Sequence, residues 1–434
     1  MSSVRERAQA ASDAAPDLAT LDASTRATLL SALADAFEDP SRRAELLAAN
    51  AEDMSAARDA EARGELASAL VKRLALTETK LDGLADGLRQ LASADELVNR
   101  RVARRELDDG LILDRVTAPL GVLGVVFEAR PDAVPQITGL ALKSGNAVLL
   151  KGGREAARSN AAIVALIHEV MRDQGVDPSL VGLLEDRAEF RALLELDDLV
   201  DLVIARGSGS FVQMVMDSTQ IPVLGHAEGL CHVYLHADAD PTMAARIVLD
   251  AKTDYPAACN AVETLLWHGE AGPALDATID VLRKAGVELR GCEATRARHP
   301  EVSAASEEDW STEYGALVLS IKRVDNVAAA HRHVARFGSK HTECIVTADA
   351  AVAESYLARV DAASVFHNAS TRFADGYRYG LGAEVGISTS KIHARGPVGV
   401  EGLLSYRWLL RGDGQVAADY GPGKKPFTHR ELGE

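Results

Sequence analysis

The amino-acid sequence predicts an α/β protein organised around a parallel β-sheet. Three observations support this fold class. From residue 122 onward, short β-branched runs alternate with helical stretches, which makes consecutive βαβ units. Residues 1–100 are dense in Ala, Leu, Glu, Asp and Arg, and their apolar residues recur at helical spacing. Between these regions, the pair Asp109-Gly110 separates two short segments and predicts a β-hairpin.

The predicted elements follow in chain order. The opening helices repeat apolar residues such as Leu29, Leu33 and Phe37 on one face. The first α/β stretch has predicted strands at 122–127, 147–151, 180–184 and 200–205 and helices at 135–143, 155–173 and 188–196. The second has predicted helices at 241–252 and 275–284 and strands at 262–267 and 316–321. A last strand is predicted at 405–410, and the polar segment 421–434 after it is predicted to be poorly ordered.

Length and composition restrict the function. The 434 residues correspond to two or three domains at roughly 100 to 200 residues each. The net charge of −17 opposes nonspecific attraction to nucleic acid or anionic lipid. No apolar run approaches the roughly 20 residues that span a bilayer, and the first residues lack a signal-peptide core. We therefore expect a cytoplasmic protein that binds neither membrane nor nucleic acid.

Two predicted strands of the first stretch end in glycine-containing turns. Lys151-Gly152-Gly153 places a cation and backbone amides where a phosphate-bearing cofactor could rest, with Lys151 facing the adenosine ribose or its 2′-phosphate. Arg206, Gly207 and Gly209 follow a later strand and are predicted to bind the same cofactor. The alternative is a tight turn with a surface lysine. The glycine spacing differs from the G-x-G-x-x-G fingerprint of ordinary dinucleotide sites.

The four cysteines are too few and too widely spaced for a disulfide framework or a CxxC metal site. Cys259 stands in a predicted loop beside Pro256 and Asn260, a place where reactive groups are common, although a lone cysteine is often only a small core residue. His331 and His333 are two positions apart on a predicted helix, a poor metal pair, and are interpreted as part of a solvated face. No metal site is predicted.

Several segments together resemble the gamma-glutamyl phosphate reductase family, within the aldehyde dehydrogenase superfamily. Each segment alone is a weak signal, but their shared order and spacing along nearly the whole chain are specific. They are 118–122, 126–132, 143–147, 151–153, 229–234, 259–261, 263–266, 382–389 and 393–397.

The resemblance implies an aldehyde dehydrogenase-like fold in three parts: a Rossmann-like parallel-sheet cofactor domain, an α/β catalytic domain and a β-hairpin oligomerisation element. These correspond to 1–104 with 117–230, to 231–395, and to 105–116 with 396–434. It also implies a homo-oligomer, a dimer or tetramer. A contact with the glutamate 5-kinase that makes the unstable substrate is left open.

The resemblance implies NADPH-dependent reduction of L-glutamyl 5-phosphate to L-glutamate 5-semialdehyde, the second step of proline biosynthesis from glutamate. Cys259, with Asn260 beside it, would be the nucleophile that forms a thioester. Glu313 would hold the nicotinamide ribose. His226 falls where aldehyde-oxidising relatives place a general-base glutamate, although Glu228 is close enough to leave the alignment open. Loss of that carboxylate suits an enzyme that must keep water from its thioester.

Cationic side chains would bind the substrate. Arg130 would help the Cys259 amide to stabilise the oxyanion and hold the acyl phosphate, or else form a structural ion pair. Lys391, His393 and Arg395 form a second cationic cluster that could hold the α-carboxylate or the phosphate. Two other functions remain as alternatives: an aldehyde-oxidising NAD enzyme of the same fold, which needs a carboxylate base near the cysteine, and an inactive binding scaffold.

Overall fold

A computed structural model describes residues 2–128, 130–207, 209–225 and 228–433. The helices are α1 (Val4–Thr20), α2 (Ala23–Glu38), α3 (Pro40–Ala62), α4 (Ser68–Leu74), α5 (Glu78–Ser93), α6 (Ala133–Lys143), α7 (Ala157–Asp173), α8 (Arg187–Leu193), α9 (Gly209–Asp217), α10 (Pro241–Thr253), α11 (Gly272–Lys284), α12 (Glu293–Arg298), α13 (Val327–Phe337) and α14 (Ala350–Arg359). The strands are β1 (Arg101–Asp108), β2 (Leu111–Pro119), β3 (Val122–Phe127), β4 (Ala147–Lys151), β5 (Val181–Leu183), β6 (Leu202–Arg206), β7 (Val223–Leu224), β8 (Cys231–Leu235), β9 (Val262–His268), β10 (Glu288–Gly291), β11 (Ser303–Ala304), β12 (Val318–Val324), β13 (Thr342–Val346), β14 (Ser364–His367), β15 (Ile387–Ser388), β16 (Gly396–Pro397), β17 (Leu404–Arg411) and β18 (Arg430–Leu432).

The helical opening is confirmed, and its helices begin at side chains that satisfy free backbone amides. Asp22 accepts from the Thr25 amide at 2.8 Å at the start of α2. Helices α2 and α5 contact each other and α6 through leucines, among them Leu30 and Leu88, which are buried in the largest core cluster. This packing brings α5 close to the end of β3, where α5 and the segment that follows β3 border a common cavity.

The first α/β stretch forms a five-stranded sheet in the order β5-β4-β3-β6-β7, with every pair parallel. The predicted α/β class is therefore confirmed. Strand β3 is central: Val126 pairs with Lys151 of β4, and Phe127 pairs with Arg206 of β6. Parallel strands end at one edge, so both glycine-containing turns flank the exit of β3.

The second stretch forms a seven-stranded sheet in the order β11-β10-β12-β9-β8-β13-β14, again parallel throughout. Strands β8, β9 and β12 are neighbours, and the segments that enter them carry Gly229, Cys259 and Glu313. These three residues therefore lie at the amino edge of the sheet, in contrast to the carboxyl edge used by the first sheet.

The hairpin of β1 and β2 is confirmed and belongs to a four-stranded antiparallel sheet, in the order β17-β2-β1-β18. The expectation of a poorly ordered tail is wrong for the described residues up to 433, because β18 pairs with β1. Charged side chains hold the tail. Tyr420 donates to Asp108 at 2.7 Å, and Arg430 pairs with Glu106.

Two large clusters of buried apolar residues correspond to the two parallel sheets. Val385, Val398 and Leu403 pack into the first cluster although they follow the second sheet in the chain. The three-part division predicted from the sequence remains our proposal, with this segment shared between its parts. Within the described ranges, no helix is both long enough and apolar enough to cross a membrane.

Candidate active site

A large cleft with a volume of about 1240 Å³ opens at the carboxyl edge of the five-stranded sheet. Lys151, Gly152 and Gly153 line it, together with Phe127 and Glu128 at the exit of β3 and with faces of α3, α4 and α8. Its volume exceeds the roughly 300–1,000 Å³ of ordinary small-molecule sites. The cleft is therefore large enough for a dinucleotide.

Both glycines of the β4 exit are required by close packing. A Cβ atom on Gly152 would lie 2.1 Å from Asn160 Nδ2, and one on Gly153 would lie 2.0 Å from Glu155 Oε1. Lys151 is buried, its ammonium donates to the Gly152 carbonyl, and burial lowers its pKa. The exit combines exposed backbone with a partly desolvated cation, which fits the phosphate groups of a nicotinamide cofactor.

A small cavity of about 350 Å³ lies between α5, the strand exits and the glycine-rich segment. It is lined by two cations, Arg130 and Arg206, and by two carboxylates, Asp375 and Glu384. Arg206 borders this cavity, whereas the large cleft is lined by other residues, and its predicted contact with the cofactor stays a prediction. Gly207 remains beside the large cleft, because a Cβ there would lie 2.8 Å from Phe211. Gly209 begins α9.

Electrostatic coupling connects the small cavity to Cys259. Burial, and then the Arg130 charge, lower the pKa of Arg206, while the carboxylate of Glu384 and the Cys259 thiolate oppose that shift. Burial raises the pKa of Glu384, whose carboxylate accepts from the Gly376 amide at 2.8 Å. Burial and the carboxylates of Glu384 and Glu313 raise the pKa of the Cys259 thiol to about 12. These effects favour the protonated thiol at neutral pH.

The Cys259 loop, residues 254–261, joins the end of α10 to the start of β9. Cys259 is partly exposed, so ligands can reach it. Asn260 is buried, its amide nitrogen donates to the Ala374 carbonyl at 2.9 Å, and its amide oxygen accepts from Arg372. The Asn260 side chain is thus occupied by structural contacts, and we interpret it as a residue that shapes the loop.

Glu313 lies next to this loop, and its predicted contact with the nicotinamide ribose stays a prediction. Its carboxylate accepts from the Gly229 amide at 2.9 Å. Gly229 packs directly on the loop, since a Cβ there would lie 2.3 Å from the Cys259 carbonyl oxygen. Glu313 therefore fixes the backbone that supports Cys259. Glu228 is exposed, and His226 lies outside the described residues.

The second cationic cluster does not reach either cavity. Lys391 and Arg395 both pair with Asp361, at 2.9 and 2.7 Å, and His393 contacts the Gly402 carbonyl. Neither cavity is lined by these three side chains. Asp361 thus pairs with charges that in the sequence look available for substrate, and the substrate role of this cluster stays a prediction.

The two histidines of α13 are buried, so the predicted solvated face is wrong. His333 packs edge-on against Trp310 with ring centroids 5.9 Å apart, and burial lowers its pKa to about 2. Neutral imidazole packs like an aromatic ring. In the part of the chain that the structure describes, no group of three or more His, Cys, Asp or Glu side chains could hold a metal ion. Cys231 is buried, and its thiol contacts the Cys259 carbonyl at 3.3 Å.

Sequence reasoning missed five charged residues of this region. Asp375 and Glu384 line the small cavity, and Arg372 contacts the Cys259 loop. Lys252 forms a buried ion pair with Glu263 at 2.6 Å. Of these residues, Glu263 has a signal in the sequence, since it interrupts the largely apolar run 261–267.

Comparison with known proteins agrees with this geometry. The model of the aldehyde dehydrogenase family matches residues 1–282. Gamma-glutamyl phosphate reductase of Synechococcus sp. (strain WH7803) is 54% identical over 429 residues, which cover 98% of this chain and 97% of the relative. The protein of that name from Cyanothece sp. is 53% identical and covers 98% of each chain. The crystal structure of gamma-glutamyl phosphate reductase from Thermotoga maritima has a TM-score of 0.91 at 37% identity, covering 96% of this chain and 100% of that one.

The fold and these relatives define an oxidoreductase that uses a nicotinamide cofactor. The chain belongs to the aldehyde dehydrogenase family and, within it, to the gamma-glutamyl phosphate reductases.

Proposed function

We propose that this chain reduces L-glutamyl 5-phosphate to L-glutamate 5-semialdehyde and phosphate through a thioester on Cys259. The reaction is the second step of proline biosynthesis from glutamate. The observation that carries the mechanism is the electrostatic coupling of Cys259 to a cavity that offers two guanidinium groups and two carboxylates. An aldehyde-oxidising enzyme would need a general base for water, a requirement that a phosphate-releasing enzyme lacks.

The charges of the small cavity are complementary to the substrate. Glutamyl phosphate carries an acyl phosphate and an α-carboxylate, which suit Arg130 and Arg206, and an α-ammonium, which suits Glu384 or Asp375. Guanidinium groups bind phosphate oxygens in pairs. Arg130 and Arg206 thus hold the leaving phosphate, and Glu384 holds the ammonium end.

Substrate binding also changes the thiol. The Glu384 carboxylate contributes to the raised pKa of Cys259. An ammonium group beside Glu384 offsets that negative charge and lowers the thiol pKa. The thiolate then attacks the acyl carbon, the bond from that carbon to the phosphate oxygen breaks, and phosphate leaves. The Cys259 amide and Arg130 stabilise the oxyanion.

The thioester carbon would accept a hydride from a bound reduced nicotinamide, and the carbon–sulfur bond would then break, which releases the aldehyde and returns the Cys259 thiolate. For the adenosine end we propose NADPH rather than NADH. Lys151, Arg154 and Arg187 line the large cleft, and among the described residues Arg154 and Arg187 form no ion pair. Such cations are suited to the 2′-phosphate.

The assembly and location of the protein are part of the same proposal. Tyr406, Trp408 and Leu410 alternate along β17 and are 57%, 54% and 57% exposed. An exposed apolar strip on a sheet edge suits a second copy of the chain, in a dimer or tetramer. All four cysteines are free thiols, which suits the reducing cytoplasm. Direct delivery of the acyl phosphate by glutamate 5-kinase would limit its exposure to water.

The test is the reverse reaction. Oxidation of glutamate 5-semialdehyde by NADP+ should require inorganic phosphate and should fall about 1000-fold or more in Cys259→Ser. Oxidation that proceeds without phosphate would identify an aldehyde-oxidising enzyme. Near wild-type activity of a folded Cys259→Ser variant would exclude the thioester. NAD+ in parallel assays tests the cofactor assignment.

A further inference from the structure

The ends of the Cys259 loop are joined by a buried ion pair. Lys252 lies in the last turn of α10 and Glu263 near the start of β9, and their Nζ and Oε2 atoms are 2.6 Å apart. Their side chains are 0% and 1% exposed. Glu263 also accepts from the Gly315 amide at 3.3 Å. The two elements that bracket the nucleophile are thereby fixed to each other.

Arg372 forms a second bridge across the Cys259 loop, between two positions that lie inside the span from Lys252 to Glu263. Its Nε donates to Asp254 Oδ2 at 3.0 Å, and its Nη1 donates to Asn260 Oδ1. Asp254 precedes Cys259 in the loop and Asn260 follows it directly. Arg372 lies in the 3₁₀ turn Thr371–Phe373 and is itself buried. The bridge therefore ties both sides of Cys259 to a distant part of the chain.

We propose that Arg372 is a positioning residue for the reaction: it sets the conformation of the Cys259 loop by bridging Asp254 and Asn260. This inference rests on the proposed function, which makes Cys259 the nucleophile. A planar guanidinium donates from a fixed fork of N–H groups, so one side chain spans both partners. A lysine keeps the charge but is a single point donor and cannot hold both sides.

The charge of Arg372 adds a second effect in the same direction. It lowers the pKa of the Cys259 thiol and thus opposes the carboxylates of Glu384 and Glu313. Loss of the side chain should therefore misplace the sulfur and also keep it protonated to a higher pH.

The experiment compares Arg372→Lys and Arg372→Met with wild type in kinetics and in alkylation. We expect kcat to fall about 10- to 100-fold in both variants, with KM for glutamyl phosphate and for NADPH little changed. The pH profile of Cys259 alkylation, followed by mass spectrometry of its peptide, should move to higher pH in Arg372→Met and stay closer to wild type in Arg372→Lys. Added guanidinium ion should partly restore kcat in Arg372→Met.

Arg378→Met is the matched control. Arg378 also donates to Asp254 Oδ2 at 3.0 Å, but its other contact is the Arg372 carbonyl and not Asn260. Its loss removes an equal charge from the same carboxylate and should leave kcat and the alkylation profile near wild type. Asp254→Asn is a second way to weaken the bridge at a more exposed position, and it decides the question if the Arg372 variants do not fold.

The outcomes separate this inference from the proposed function. If Cys259→Ser is inactive while Arg372→Met, or in its place Asp254→Asn, behaves like Arg378→Met, the positioning role is wrong and the nucleophile stands. If Cys259→Ser stays active, the proposed mechanism itself fails. The positioning role is supported if kcat falls and the alkylation profile moves to higher pH in Arg372→Met, while both stay near wild type in Arg378→Met.

Discussion

The large cleft and the Cys259 loop are built in opposite ways. The cleft takes Lys151, Gly152 and Gly153 from one strand exit, where sequence neighbours are also neighbours in space. The loop takes its shape from Arg372, which lies 118 positions from Asp254 and 112 from Asn260. A local motif therefore specifies the first site, whereas the second exists only once the tertiary fold is complete.

The two regions also differ in how they use charge. In the cleft, Lys151 is buried against a carbonyl, and Glu155 and Asp186 are near enough to raise its pKa against the effect of burial. At the ends of the loop, Lys252 and Glu263 are buried as a pair, so the removal of one partner leaves the other without compensation. Substitutions in the cleft should change one ligand affinity, and those near the loop should change chemistry or stability.

Outside the nucleophile itself, the largest expected effect is at Arg206. Arg206→Met should lower kcat/KM for glutamyl phosphate about 100-fold, because a charge-assisted contact to the substrate is lost in a buried cavity. NADPH affinity, measured by fluorescence titration, should remain unchanged. Weakened NADPH binding with an unaltered KM for glutamyl phosphate would instead show that Arg206 binds the cofactor.

The buried pair Lys252–Glu263 should make stability depend on pH. Burial raises the pKa of Glu263 to about 7 from its usual 4.5. The folded state therefore retains a proton that the unfolded state releases, and stability falls as the pH rises through this window. Relative to the double variant Lys252→Met/Glu263→Gln, the wild type should lose about 2 kcal/mol between about pH 5 and pH 7.5 in urea unfolding. If the free energy of unfolding changes with pH in the same way in both proteins, the Lys252–Glu263 pair does not titrate in this range.

A smaller effect is expected in the large cleft. Lys151→Met should weaken NADPH binding about 10-fold and leave KM for glutamyl phosphate unchanged, because one charge-assisted hydrogen bond is removed. Arg187→Met is the companion variant. If Arg187 contacts the 2′-phosphate, Arg187→Met should weaken the binding of NADPH but not of NADH. Equal losses of affinity for both cofactors would mean that Arg187 contacts another part of the cofactor.

The sequence predicts the regular part of this molecule well. The strand at 147–151 and the hairpin at Asp109-Gly110 are confirmed, because alternation and turn residues are local signals. Strand exits also identify the edge at which a residue lies. They do not identify the cavity that its side chain enters, which depends on strand pairing and on α5; Arg206, predicted to bind the cofactor, borders the small cavity.

Charges were the least predictable feature. Lys391 and Arg395 look like a substrate site until Asp361, some thirty residues earlier, neutralises them in the fold. The tail reads as a solvated segment, but Arg430 has a partner in Glu106. Arg372 and Glu384 have no local signal at all, since their importance follows from contacts with residues more than a hundred positions away or with a cavity.

The smallest effect expected is at Glu384, where the two regions can be compared directly. The Glu384 carboxylate is one cause of the raised pKa of Cys259, which is about 12. Below that pH the thiolate fraction rises with pH, so a lower pKa moves the alkylation profile to lower pH. Glu384→Gln should therefore speed alkylation of Cys259 at about pH 8 by about 3- to 10-fold, since it removes a nearby negative charge.

Glu185→Gln removes an equal charge from the lining of the large cleft and should leave this rate unchanged. The same Glu384→Gln variant should have a higher KM for glutamyl phosphate if the carboxylate holds the α-ammonium. Faster alkylation of Cys259 together with a higher KM for glutamyl phosphate would show that the Glu384 carboxylate both raises the thiol pKa and binds the substrate. An unchanged alkylation rate would mean that the Glu384 carboxylate does not couple the small cavity to the Cys259 thiol.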